Sequence, residues 1–186
     1  YWMNKIVFIA GLCGAGKSVV SSHFIKNGFH YFHIGHITMK ILEERKLEVN
    51  EHNERLVRES IRQEYGMSAY ATLNLDQLKD LTIKSPVVAD GLYSYSEYLI
   101  FKQNFLHQSI VIAVYAPPNL RYQRLKIRSE RPLSEDIARS RDHAEITQLE
   151  KGGPIAMADI TIMNTGSFEY LEKQCLEVIH DIQSRK

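Results

Sequence analysis

Lys5-Ile-Val-Phe-Ile-Ala-Gly11-Leu-Cys-Gly-Ala-Gly-Lys17-Ser18 is the stretch on which the reading of this chain turns. Lys5–Ala10 is a short apolar, β-branched run, which suits a buried strand. Val19–Lys26 continues with helical character and stops at Asn27-Gly28, a natural C-cap. Between them, Gly11–Ser18 fits G-x-x-x-x-G-K-[ST] in full, and it sits where that pattern has a mechanism, after a strand and at the start of a helix. Glycines let successive backbone N–H groups turn inward around a polyphosphate without a Cβ in the way. The helix N-terminus adds partial positive charge at the same point. The turn therefore marks a nucleoside triphosphate site, or the descendant of one. The residues expected to hold the nucleotide are Gly11, Gly14, Ala15, Gly16, Lys17, Ser18 and Val19. Lys17 is expected on the β and γ phosphates, and the Ser18 hydroxyl on Mg²⁺.

Working outward, strands alternate with helices. His30–Ile34, Pro86–Ala89, Ile110–Ala116 and Asp159–Met163 read as further strands, and Ile37 to about Gly66 is helical with a break at Asn50. Asn119–Ser129 reads as a basic helix. Ser167–Ile182 reads as an amphipathic one, with Phe168, Leu171, Cys175, Leu176 and Ile179 on one face. Five apolar strands separated by helices predict an α/β fold, a parallel sheet covered on both faces. Glu130–Lys151 is the most polar, arginine-dense segment and is read as an excursion from the core.

The composition excludes several classes. The chain has 186 residues, 44% hydrophobic and 24% charged, an ordinary folded globule of one domain. A net charge of +1 gives no strong field for nucleic acid or an anionic membrane. Cys13 and Cys175 form neither a disulfide framework nor a zinc pattern, which favours a reducing compartment. The longest apolar run, Ile110–Ala116, is far too short to span a membrane. No basic region followed by an apolar signal core opens the chain, so a cytoplasmic location is expected. Met3 is read as the native start, with Tyr1 and Trp2 set aside.

Asp90 ends the third strand, where an acid can complete a Mg²⁺ shell beside Ser18. A turn aspartate in Asp90-Gly91 is the plainer alternative. Arg121, Arg124, Arg128 and Arg131 recur at three and four, which predicts one helical face leaving the fourth strand at the ligand-binding end of the sheet. Cations there suit a transferring phosphate, and Arg124 and Arg128 are the candidates chosen; Arg139 and Arg141 could approach from the excursion. His30, His33 and His36 are spaced by three, but alternation along a strand turns His30 and His33 to opposite faces, against a metal site. Tyr93, Tyr95 and Tyr98 suit a core or a stacking surface equally.

With these residues in place the sequence resembles the P-loop nucleotide kinases, the group of adenylate kinase and dephospho-coenzyme A kinase. Within it the chain looks closest to a branch found in archaea and bacteria. The likeness runs from IVFIAGLCGAGKS to ADITIMNTGSFEYLEK. It implies a three-layer P-loop NTPase fold: a five-stranded parallel sheet of order 2-3-1-4-5 with helices on both faces. It also implies an acceptor-binding helical arm at 36–80 and a small lid at 130–151. Asn164, Thr165 and Gly166 would meet the adenine of ATP. His36, Lys40, Arg62, Tyr93 and Arg141 would meet the acceptor.

The chain also departs from the pattern. Relatives carry Gly-Asp, a short spacer and Arg after the second strand, where this chain has Gly35-His36-Ile37-Thr38-Met39-Lys40. They place an arginine after Asp-Gly where this chain has Tyr93 or Ser94. Dephospho-coenzyme A kinases carry a catalytic acid near the position of His36, which this chain lacks. The resemblance thus implies an ATP- and Mg²⁺-dependent phosphotransferase for a small acceptor, acting as a monomer or homodimer, with GTP open as donor. Dephospho-coenzyme A kinase is one alternative. An ATP-binding regulatory module with a lost acceptor site is another. Convergence of Lys40, Arg58 and Arg62 on one cavity separates the enzyme from the module.

Overall fold

The fold is described from a computed structural model over residues 4–184; Tyr1, Trp2 and Met3 lie outside the described residues. The strands are β1 (Ile6–Ala10), β2 (His30–His33), β3 (Val87–Asp90), β4 (Ser109–Tyr115) and β5 (Ile160–Met163). All pair in parallel, in the order β2-β3-β1-β4-β5. β1 lies at the centre with all five residues buried, as a strand covered on both faces must be. Its alternating side chains feed two cores. Ile6, Phe8 and Ala10 join Leu42, Leu78 and Phe101 on one face, and Phe8 stacks on Phe101 at 4.4 Å. Val7 and Ile9 join Phe24, Leu171, Cys175 and Ile179 on the other.

The helices are α1 (Lys17–Lys26), α2 (His36–Glu44), α3 (Glu51–Tyr65), α4 (Ala69–Lys84), α5 (Tyr95–Phe105), α6 (Pro118–Ile127), α7 (Glu135–Thr147), α8 (Gly152–Ala156) and α9 (Phe168–Ser184). The break at Asn50 is a true cap: its side-chain oxygen accepts from the Asn53 N–H at 2.9 Å. α5, which hydrophobic periodicity did not reveal, starts on a capping box of Ser94 and Glu97. It takes Tyr98 into the core, with Tyr95 stacked on it at 5.6 Å.

Two expectations need correction. The four arginines do not share a helical face, because α6 ends at Ile127. Arg128 is extended there, Arg131 has a φ of 48°, and Pro132 cannot continue a helix. The Leu133 N–H instead turns back to the Leu125 carbonyl at 3.0 Å. The buried face of α9 is also narrower than expected. Leu171, Cys175, Ile179 and Ile182 are buried on it, while Phe168 and Leu176 face outward.

α7 lies within the arginine-dense excursion and is tied to α6. Arg121 forms a two-pronged ion pair with Asp142 at 2.8 and 2.6 Å, and the Tyr122 hydroxyl donates to the same carboxylate at 2.8 Å. Tyr122, Leu125 and Ala138 close a small third core beside them. Among the described residues no helix is long and apolar enough to cross a membrane.

Candidate active site

The carboxyl ends of β1, β3 and β4 open on one side of the sheet, where ligands bind in open α/β folds. β1 runs into the Gly11–Gly16 turn, and Gly16 takes a left-handed φ of 98° as it starts α1. A Cβ at Gly16 would collide with the Asn164 side-chain amide, and one at Gly14 would stand 2.8 Å from the Arg121 carbonyl. Both glycines are therefore demanded by their surroundings as well as by the turn. Lys17 points back over the loop, its Nζ donating to the Leu12 carbonyl at 3.4 Å. Ser18 is exposed at the first turn of α1, beside Val19.

Asp90 pairs in register with Ile9 of β1, which sets it beside the loop. Its Oδ1 is buried and has no hydrogen-bond partner among the described residues. A buried carboxylate oxygen without a partner is costly, and a hard divalent cation would satisfy it. Ser18 and Asp90 thus supply donors of the kind Mg²⁺ takes. Among the described residues there is no cluster of three or more His, Cys, Asp or Glu that could hold a metal ion.

Asn164 is buried in the turn after β5. Its Nδ2 donates to the Ala15 carbonyl at 2.8 Å, while Arg124 Nη2 donates to its backbone oxygen at 2.9 Å and its side-chain oxygen at 3.3 Å. Arg124 Nη1 is buried with no partner among the described residues. Three segments distant in sequence thus meet at the loop, with Thr165 and Gly166 exposed next to them. Arg121, by contrast, is turned inward. Besides Asp142 it serves the Ala116 carbonyl at 3.0 Å and the Cys13 carbonyl at 3.1 Å, which braces the loop from behind.

A cleft of about 1280 Å³ lies between α2–α3 on one side and α7 with the chain before it on the other. Arg55, Arg58, Arg62, Arg128, Arg131 and Arg141 line it against Glu54, Glu59, Asp136 and Glu145, an excess of positive charge. Met39, Val49, Leu133 and Ile137 add an apolar wall, and Tyr70 and Tyr93 aromatic ones. The Arg62 guanidinium lies over the Tyr70 ring at 5.1 Å, and the Tyr70 hydroxyl is 2.6 Å from that of Thr38. Arg58 and Arg62 therefore converge on one cavity, as do Tyr93 and Arg141. Lys40 does not line it; it stands on exposed α2 surface, 3.9 Å from Glu44. His36 sits edge-on to Phe32, its Nδ1 3.0 Å from the His33 carbonyl. Arg128 belongs to the cleft wall, its Nε donating to the Arg131 carbonyl at 2.6 Å.

Three charged residues here escaped the sequence reading. Glu97 is wholly buried, its Oε2 accepting from the Tyr93 and Ser94 N–H groups at 2.9 and 3.2 Å. Burial pushes its carboxyl up to about 7, although those bonds and Arg62 pull it down. Its spacing from Ser94 was a readable capping signal. Glu145 and Lys151 form a buried pair at 2.8 Å, and no sequence pattern announces it.

Loop, sheet order and site together define a P-loop fold of the kind shared by small-molecule kinases. A shikimate kinase from Acinetobacter baumannii in complex with shikimate superposes with a TM-score of 0.58 at 19% identity, covering 98% of this chain and 95% of that one. A dephospho-CoA kinase from Campylobacter jejuni gives 0.56 at 20% identity, covering 97% and 99%. A profile of the AAA domain matches residues 7–148. A UPF0200 protein of Thermococcus gammatolerans is 37% identical over 181 residues, 95% of each chain. The chain belongs to the UPF0200 family, with an AAA domain over residues 7–148 as its body.

Proposed function

We propose that this chain is a phosphotransferase that uses ATP and Mg²⁺ to phosphorylate a small anionic acceptor. The observation that carries the reading is the arginine-lined cleft beside an intact phosphate-binding loop: of the three cations whose convergence separates enzyme from module, Arg58 and Arg62 line it and Lys40 does not, while Arg141 joins them from the opposite wall. The kinase fold of the superposed structures and the AAA profile support the same class.

On this reading Gly11, Gly14, Ala15, Gly16 and Val19 shape the cradle. Their backbone N–H groups and Lys17 neutralise the β and γ phosphates. Ser18 and Asp90 hold Mg²⁺, which when bound supplies positive charge to the phosphate oxygens. Arg124, already fixed by Asn164, directs its unpartnered Nη1 to the nucleotide, and Thr165 and Gly166 flank the base. The acceptor lies in the cleft, its anionic group on Arg62 and Arg141 and its body against Tyr93 and the apolar wall. Arg128 closes the outer rim. Transfer breaks the bond between the γ-phosphorus and the β–γ bridging oxygen as the acceptor oxygen bonds that phosphorus. Positioning and charge supply most of the catalysis. Lys40 and His36 do not line the cleft and are assigned no contact.

The test is transfer of labelled γ-phosphate from ATP with Mg²⁺ to a panel of nucleoside monophosphates, nucleosides, dephospho-coenzyme A and small carboxylated alcohols. Label on one acceptor, lost in Lys17→Ala, is the expected outcome. Tight ATP binding with label on no acceptor would favour the regulatory module instead.

A further inference from the structure

β5 is an edge strand, and one side of it has no neighbour in the sheet. Backbone groups on such a side are left to water or to a second chain. Gln174 of α9 meets them instead. Its Oε1 accepts from the Met163 N–H at 3.0 Å, and its Nε2 donates to the Met163 carbonyl at 2.9 Å. One side chain thus answers both backbone groups of a residue, as a neighbouring strand would. Nε2 also donates to the Tyr170 carbonyl at 3.4 Å. The orientation of the amide is fixed by these bonds, because the flipped form would set its NH₂ against the Met163 N–H.

The residues that follow give the contact its meaning. The Asn164 N–H donates to the Tyr115 carbonyl at 2.8 Å, and its carbonyl accepts from Arg124. Every backbone hydrogen-bonding group of Met163 and Asn164 therefore has a partner. Thr165 and Gly166 leave from this fixed point, and a Cβ on Gly166 would meet Tyr170 Cδ1 at 3.1 Å. α9 touches the turn at both ends, through Gln174 at Met163 and through the Tyr170 ring at Gly166. The Gln174 amide joins the two contacts.

As mere fold glue the arrangement gains little. Met163 is 38% exposed, so water could serve the same backbone groups, and the net gain from exchanging water for an amide is small. What two bonds from one planar amide do settle is where the peptide planes lie.

Resting on the reading of the chain as an ATP-dependent phosphotransferase with the base at Thr165 and Gly166, we propose that Gln174 is the positioning residue of that turn. It acts through Met163 and touches neither nucleotide nor acceptor. Its effect is selective. Gln174 governs how tightly the base-bearing part of the nucleotide is held. The phosphates belong to the Gly11–Ser18 loop, and Asn164 keeps its own bonds to Ala15 and Arg124 whether Gln174 is present or not.

The test is equilibrium binding of two probes with Mg²⁺: the non-hydrolysable imido analogue of ATP, and inorganic tripolyphosphate, which has the phosphates and no base. Gln174→Met keeps the length of the side chain and removes all three bonds. It is expected to weaken the ATP analogue about tenfold, the worth of one or two hydrogen bonds, and tripolyphosphate less than twofold. Gln174→Glu keeps the oxygen that accepts from Met163 but sets a carboxylate against two carbonyls, and is expected to weaken the analogue at least as much. A merely structural role would move both probes together, so equal loss of both, or no loss, overturns the proposal. If a variant without loss also dimerises in sedimentation, Gln174 guards the β5 edge instead. Should Gln174→Met fail to melt cooperatively, Gln174→Glu decides by the same comparison, and failure of both variants to fold also overturns the proposal. A wild type that binds both probes but transfers to no acceptor, with the selective loss in the variants, removes the phosphotransferase reading and leaves this one standing. A wild type that transfers phosphate, with no selective loss in the variants, removes this one alone.

Discussion

Asn164 donates its side-chain amide to the Ala15 carbonyl at 2.8 Å, joining the turn after the last strand to the middle of the phosphate-binding loop across 149 positions. The same residue accepts from Arg124 through both its backbone and its side chain. It therefore fixes the loop and an arginine in one mutual geometry. In Asn164→Ala the Ala15 carbonyl loses this partner, at roughly 1–3 kcal/mol for a buried group. The expected outcome is a lower Tm together with about a tenfold loss of ATP affinity, read by calorimetry. A loss of stability with unchanged affinity would confine Asn164 to a structural role.

Arg121 and Asp142 bind each other with both prongs of the guanidinium and are both buried. Removing one partner strands the other, which typically costs about 3–5 kcal/mol. Asp142→Asn should therefore lower Tm by roughly 10 °C in a chain of this size. The double variant Arg121→Met, Asp142→Leu should recover much of that loss, because it leaves no orphaned charge. A double variant as unstable as the single one would mean that the Arg121 bonds to the Ala116 and Cys13 carbonyls matter more than the ion pair.

Gly14 combines a φ of 79° with a Cβ direction that runs into the Arg121 carbonyl at 2.8 Å. Neither a side chain nor the backbone opposite can yield cheaply, and left-handed strain adds about 1–3 kcal/mol. Gly14→Ala should fold with a reduced Tm and bind ATP at least tenfold more weakly. Gly28→Ala is the control: φ there is 90°, but nothing lies within 4 Å of the added carbon. Equal damage to ATP binding by both would place the effect in backbone strain rather than in the loop.

The first turn was legible because strand, glycine spacing and helix each constrain the backbone locally. Asp90 was singled out for the same reason, since it ends a short apolar strand, whereas Asn164 was singled out only by the family resemblance, for the base, and its side chain instead meets the Ala15 carbonyl and Arg124. The arginine series misled because a spacing of three and four holds only while the helix lasts, and Pro132 stops it. Glu145 and Lys151 were illegible for a deeper reason. Their pairing follows from a turn at Glu150, where φ is 53°, and from burial that neither residue type advertises. A lysine in a polar segment reads as a solvated one until the fold shows what covers it.

Glu97 gives the fold a pH dependence of known sign. Burial raises its carboxyl from 4.5 to about 7, so between those values the folded chain holds a proton that the unfolded chain has released. The stabilisation is complete below the unfolded value and is lost as pH rises through about 7. A displacement of this size is worth on the order of 2–3 kcal/mol, or several degrees of Tm. Glu97→Gln keeps an acceptor for the Tyr93 and Ser94 N–H groups and cannot titrate. The Tm of the wild type should therefore fall relative to that of Glu97→Gln as pH is raised from about 5 to 8. Differential scanning fluorimetry across that range checks it. A constant difference between the two would mean that Arg62, whose buried Nε also lacks a partner among the described residues, keeps the carboxyl ionised throughout.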